Sequence, residues 1–152
     1  MLKLPLYHVD AFASRLFAGN PAAVVPLDDW LPDPVLQSIA AENNVSETAF
    51  FIPRGEEFEL RWFTPKREVD LCGHATLATG FVIVTYLQPR RQKMKFHTRS
   101  GLLTVERDGA RFNLDFPAKP PLPVDQGLRE MVAEALGQTP LEVLKADKLL
   151  AV

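Results

Sequence analysis

Apolar residues dominate the segment from Gly73 to Leu87, where Ala75, Leu77, Ala78, Phe81, Val82, Ile83, Val84 and Leu87 leave no polar face at helical spacing. A helix that is apolar on every side is buried on every side. The rest of the first three-quarters of the chain follows strand periods. Leu4 to Phe12 reads as a strand, Gly19-Asn20-Pro21 as a turn, and Ala22 to Leu27 as a second short strand. Asp33 before Pro34 predicts an N-cap with proline at the first helical position. Val35, Leu36, Ile39 and Ala40 continue that helix to Asn43-Asn44. Strands are predicted over Glu47 to Pro53 and Phe58 to Thr64, the second alternating Phe58, Leu60 and Trp62 with polar neighbours. Beyond the apolar helix, Lys93 to Thr98, Leu102 to Arg107 and Arg111 to Phe116 alternate, with Asp108-Gly109 as a hairpin turn. Short strands in close succession predict an α+β domain. Its sheet is expected to be antiparallel, without βαβ units, and wrapped around the one buried helix.

The pattern changes at Pro117. Four prolines fall within Pro117 to Pro123, which predicts a linker or domain edge. A helix over Gln126 to Leu136, ended by Gly137, and one strand-like tail over Leu141 to Val152 follow. One helix and one strand cannot bury a core. The expected organisation is therefore a domain over residues 1–117 and the incomplete start of a second over 118–152.

Composition narrows the function class. Of 152 residues, 47% are hydrophobic and 24% charged, as in ordinary globular proteins. A net charge of −2 gives no basic surface for nucleic acid or anionic membrane, so neither is expected as a partner. The single cysteine excludes an internal disulfide framework, and the three histidines lack metal-ligand spacing, so no metal site is expected. The N-terminus has no signal-peptide core, and the roughly fifteen-residue apolar helix is too short to span a bilayer. A cytoplasmic location is the expectation.

Candidate chemistry gathers at two places. Glu47 lies between a helix exit and an apolar strand, where desolvation would raise its pKa toward the range useful for proton transfer. The run Asp70-Leu71-Cys72-Gly73-His74-Ala75-Thr76 sets a thiol and an imidazole at the N-terminus of the buried helix. Free amides and the positive dipole end make that terminus suited to a carboxylate. Cys72 reads either as a small buried hydrophobe or as a nucleophile or base. His74 reads as a structural histidine or as a group that orients a carboxylate or shares a proton.

Five motifs then occur in order. They are Tyr7-His8-Val9-Asp10-Ala11-Phe12, Gly19-Asn20-Pro21-Ala22-Ala23-Val24-Val25, Ser46-Glu47-Thr48-Ala49-Phe50-Phe51, Arg61-Trp62-Phe63-Thr64-Pro65 and the Asp70 to Thr76 run. Together they resemble the phenazine biosynthesis PhzF-like isomerase family. The resemblance implies the diaminopimelate epimerase-like fold: two similar domains, each a mostly antiparallel sheet curled around a central helix, with the active site in the cleft between them. It implies a cofactor-independent isomerase or epimerase acting by proton transfer on a small carboxylated metabolite. By the same resemblance Glu47 is the general acid/base, and Gly73, His74 and Ser46 face the substrate. Cys72 matches one of the two catalytic cysteines of the related epimerases. With no second cysteine in the chain, it is ranked as a buried support to the site or an alternative base. The family's second half-site, an acidic residue and a glycine-serine loop, has no match here, so the chain resembles half of an enzyme. The rival reading is a noncatalytic binding or assembly module. A homodimer is expected, because the region after Pro117 leaves the apolar face of Leu128, Met131, Val132, Ala135 and Leu136 without a core.

Overall fold

A computed structural model describes residues 3–15, 17–146 and 149–152. The chain divides into two compact units, Met1–Phe116 and Pro117–Val152. The first is an α+β unit built on one curled mixed sheet. Its strands are β1 (Tyr7–Ala11), β2 (Asn20–Pro26), β3 (Glu47–Arg54), β4 (Glu57–Phe63), β5 (Glu68–Val69), β6 (Lys93–Thr98), β7 (Gly101–Asp108) and β8 (Arg111–Asp115). They lie in the order β1-β2-β3-β4-β6-β7-β8, with β5 paired to β4.

Helix α2 (Gly73–Val82) packs against β1, β2 and β3 and also against β7 and β8, so the sheet curls around it. Ala75, Ala78, Val82, Ile83 and Val84 are buried among Ala22, Val24, Ala49, Phe51, Leu60, Trp62, Met94, Phe96, Leu103 and Val105. The predicted enclosure of this segment holds from Gly73 to Val84, but not for Thr85 to Leu87. Its helix continues past Val82 as a π-helical turn over Ile83–Leu87, closed by the Gln88 N–H donating to the Ile83 carbonyl at 2.6 Å. Tyr86 and Leu87 emerge from the sheet and are exposed. The buried hydroxyls of Thr76 and Thr79 donate to the carbonyls of Cys72 and Ala75, which removes their desolvation cost.

Two parallel pairings correct the antiparallel expectation. β2 pairs parallel with β3 and β4 with β6, each across an intervening helix, so β2–α1–β3 is a βαβ unit after all. Helix α1 (Asp33–Asn43) covers the opposite face of the sheet from α2, over Val25, Phe50 and Phe63. Coverage on both faces explains the unbroken apolar run Ala49-Phe50-Phe51, where Ala49 and Phe51 meet α2 and Phe50 meets α1.

Local boundaries also move. Asp33 is not the N-cap of α1: Pro32 holds that position, and the Asp33 carboxylate instead pairs with the Arg61 guanidinium at 2.9 Å. The first strand stops at Ala11 because Phe12 takes a left-handed φ of 59°. Asn20 and Pro21, expected in a turn, belong to β2 opposite Ala11 and Asp10.

Gly80 marks the closest approach of α2 to the sheet. A Cβ there would lie 2.7 Å from Val105 Cγ1 and 3.2 Å from Met94 Cε. Alanine gains about 1 kcal/mol of helix propensity over glycine, and overpacking a full core costs about 1–3 kcal/mol. Val105 is short and strand-bound, so the steric cost prevails. Gly80→Ala is expected to lower stability by about 1 kcal/mol, read as an earlier urea midpoint with an unchanged slope.

In the second unit, β9 (Leu122–Pro123), β10 (Leu144–Ala146) and β11 (Leu149–Ala151) form an antiparallel sheet in the order β11-β10-β9. The tail expected as a single strand is thus two strands, and residues 147 and 148 lie outside the described residues. Helix α3 (Gln126–Leu136) is capped by Asp125 Oδ1, which accepts from the Leu128 N–H at 2.9 Å, and it ends at left-handed Gly137. None of its residues is buried.

Candidate functional site

Three side chains from two elements meet at one end of α2. Glu47 opens β3, directly after the exit from α1, and Cys72 and His74 flank the start of α2. β3 runs under the helix with Glu47 on the same sheet face as Ala49 and Phe51, which aims its carboxylate at the helix N-terminus. The approach to α2 is fixed from the sheet. Arg61 on β4 holds Glu68 of β5 by two bonds, Nε to Oε1 at 2.7 Å and Nη2 to Oε2 at 2.9 Å. This charge-assisted fork, four residues before Cys72, accounts for the Arg61 motif as scaffolding for the site loop.

Glu47 Oε2 lies 3.2 Å from His74 Nε2, and His74 Nδ1 lies 3.4 Å from Cys72 Sγ. The side chains of Glu47 and His74 are 20% and 10% exposed. Glu47 Oε2 and His74 Nε2 are both buried atoms without a well-aligned hydrogen bond, despite their proximity. The first-turn amides of Gly73 and His74 have no intrahelical carbonyl to bond. Gly73 also packs closely, since a Cβ there would lie 2.9 Å from Phe116 Cε2 and the ring would have to shift. Ser46 is exposed beside this group, and its hydroxyl contacts Asn20 Oδ1 at 3.4 Å. Glu47, Cys72, Gly73 and His74 therefore gather at one locus, with Ser46 at its rim.

Two residues that received no role in the sequence reading stand out. Asn20 tethers Ser46, and Asn43 Nδ2 donates to the buried Thr48 hydroxyl at 3.1 Å, tying the end of α1 to β3 next to Glu47. Both asparagines fall at an element boundary, which is the signal that could have flagged them.

The Cys72 thiol is only 7% exposed. Burial pushes its pKa up to about 12, the Glu47 carboxylate adds to the rise, and the Ala75 amide opposes it. The thiol is therefore neutral at physiological pH. Iodoacetamide is expected to label the native protein at least about 100-fold more slowly than the urea-unfolded chain. Rapid native labelling, timed by intact mass, would contradict this environment.

Glu47, Cys72 and His74 also bring potential donor atoms within 4.8 Å of one another, the closest approach to a metal-binding group among the described residues. A cation there would have to displace the proton of a thiol held neutral by burial. The donor set is better matched to holding and moving protons. Among the described residues no helix is long and apolar enough to cross a membrane.

Several known proteins are similar to this chain. The chain is 52% identical over 151 residues to an uncharacterized isomerase of Pseudomonas aeruginosa, covering 99% of this chain and 58% of that protein. A crystal structure of a PhzF-family phenazine biosynthesis protein from Enterococcus faecalis superposes with a TM-score of 0.88 at 45% identity, over 98% of this chain and 56% of that one. The structure of a predicted epimerase from Pseudomonas aeruginosa matches with a TM-score of 0.70 at 25% identity, over 93% of this chain and 56% of that one. The chain thus spans little more than half the length of these relatives. A family model described as phenazine biosynthesis-like protein matches residues 9–146, so the chain belongs to the PhzC-PhzF family.

Proposed function

We propose that this chain supplies one half of the site of a cofactor-independent isomerase or epimerase, in which Glu47 moves a proton on a small carboxylated metabolite. The observation that carries this reading is the Glu47–His74 pair: two buried polar atoms 3.2 Å apart, neither satisfied by a good hydrogen bond. An unsatisfied buried donor or acceptor costs about 1–3 kcal/mol. A purely structural module gains nothing from that cost, whereas a site awaiting a ligand does. The substrate carboxylate sits at the start of α2, where the Gly73 and His74 amides and the helix dipole favour an anion. Glu47 takes a proton from a carbon of the substrate, and the electron pair passes into the adjoining unsaturated system. Glu47, its proton exchanged with solvent meanwhile, returns a proton at another position or face, so composition is unchanged. His74, within reach of Glu47, steadies the carboxylate between the two transfers.

Incubation with a panel of small carboxylates in deuterated water tests this. The expected result is solvent deuterium appearing in one compound, at a carbon, only with active protein. No incorporation in any compound by the protein with both half-sites present would overturn the reading.

The proposal extends to assembly. Met131, Leu136 and Leu141 of the second unit are exposed, and such apolar surface recruits a partner. A second copy is the simplest one. Light scattering is expected to report twice the 17.0 kDa chain mass. A monodisperse monomer with strong amide protection over residues 141–152 would contradict it.

A further inference from the structure

We propose that Cys72 is a positioning residue: its thiol donates a hydrogen bond to His74 Nδ1 and thereby keeps the imidazole proton on Nε2, facing Glu47. This rests on the reading of Glu47 and His74 as the reacting pair, and it goes beyond that reading by assigning the protons. The geometry is a compact cluster of three side chains whose donor atoms lie within 4.8 Å of one another. Sγ of Cys72 lies 3.4 Å from Nδ1, and Nε2 on the other side of the ring lies 3.2 Å from Glu47 Oε2. In a neutral imidazole one nitrogen donates and the other accepts. A donor at Nδ1 therefore places the ring proton on Nε2, on the side of the ring that lies 3.2 Å from Glu47 Oε2 without an aligned hydrogen bond.

The position of Cys72 explains why the thiol is available as a donor. It occupies the N-cap of α2 in an extended conformation, φ −148° and ψ 110°, yet its side chain makes no capping bond to the helix. Serine, threonine or aspartate at an N-cap ordinarily turns an oxygen back as acceptor for the first-turn amides. Sulfur is a weak acceptor. Cysteine thus leaves the Gly73 and His74 amides open for an anionic ligand, with only the Ala75 amide facing the sulfur, and turns its hydrogen toward the imidazole. Burial supports the same assignment, because a thiolate beside the Glu47 carboxylate would set two negative charges together out of water. The Glu47 carboxylate is also within reach of the thiol and is the competing acceptor for its proton, and the 3.4 Å contact is with His74 Nδ1.

The test needs neither substrate nor turnover, so it stands or falls separately from the enzyme reading. Infrared spectra at neutral pH should show an S–H stretching band that disappears in Cys72→Ala. Nitrogen-15 spectra of the His74 ring should show the proton on Nε2 in the wild type. In Cys72→Ala the Nδ1 resonance should shift downfield toward that of a free acceptor nitrogen. Cys72→Ser, which keeps a donor, should return it. Three results would overturn the proposal: an Nδ1-protonated ring in the wild type, no S–H band, or an Nδ1 resonance unmoved by Cys72→Ala. The last would place the thiol proton on Glu47. The wild-type spectra alone decide the first two, even if a variant fails to fold.

Discussion

Glu47→Gln is expected to reduce solvent-deuterium exchange into substrate by about 10²–10⁴-fold, the usual worth of a positioned general acid or base. The substitution preserves size and leaves an amide that can still face His74 Nε2 across the 3.2 Å gap. Stability should therefore change little. What is lost is the group that accepts and returns the proton. A second readout accompanies the first. The Glu47 charge is one cause of the raised Cys72 pKa, so removing it lowers that pKa. Alkylation of Cys72 should then run faster in Glu47→Gln than in the wild type, with the fold intact by circular dichroism. Wild-type turnover in the variant, on any substrate the deuterium screen identifies, would show that Glu47 has no role in the chemistry.

Trp62→Ala should cost about 3–5 kcal/mol, the range for deleting a large buried aromatic side chain. Trp62 is 1% exposed and among the largest fully buried side chains, packed in the cluster that encloses α2. Domains of this size are stable by about 5–15 kcal/mol, so the loss removes a large share of the total. Trp62→Phe should cost far less, below about 1.5 kcal/mol. The indole N–H is buried without a hydrogen-bond partner, so deleting it breaks no bond and relieves a desolvation penalty. Urea denaturation of the two variants separates packing from polarity. Equal losses in both would mean that the indole nitrogen has a stabilising partner.

The sequence by itself determined the central element and pointed to the candidate site residues. The apolar positions from Ala75 to Val84 need no tertiary information to be read as buried, because a helix without a polar face has only one stable environment. Period-two alternation located Phe58, Leu60 and Trp62 on one sheet face, and they are buried together. Glu47, Cys72, Gly73 and His74 were all singled out by residue type and neighbours. Tertiary structure decided how they meet. Glu47 and Cys72 are 25 positions apart in sequence, and only the passage of β3 beneath the start of α2 brings carboxylate, imidazole and thiol into one cluster.

The parallel pairings were not legible either. Strand period reports which face is buried but not which neighbour lies alongside, and α1 carries the chain back so that β3 joins β2 in the same direction. Capping chemistry misled at Asp33 because a long-range partner, Arg61, competes for the carboxylate that local geometry would have turned onto the helix. Periodicity and propensity are local and were read correctly where local forces dominate. Strand order, the Arg61 ion pairs and the proton-holding cluster of Glu47, His74 and Cys72 depend on contacts between distant residues, which only the folded chain brings within reach.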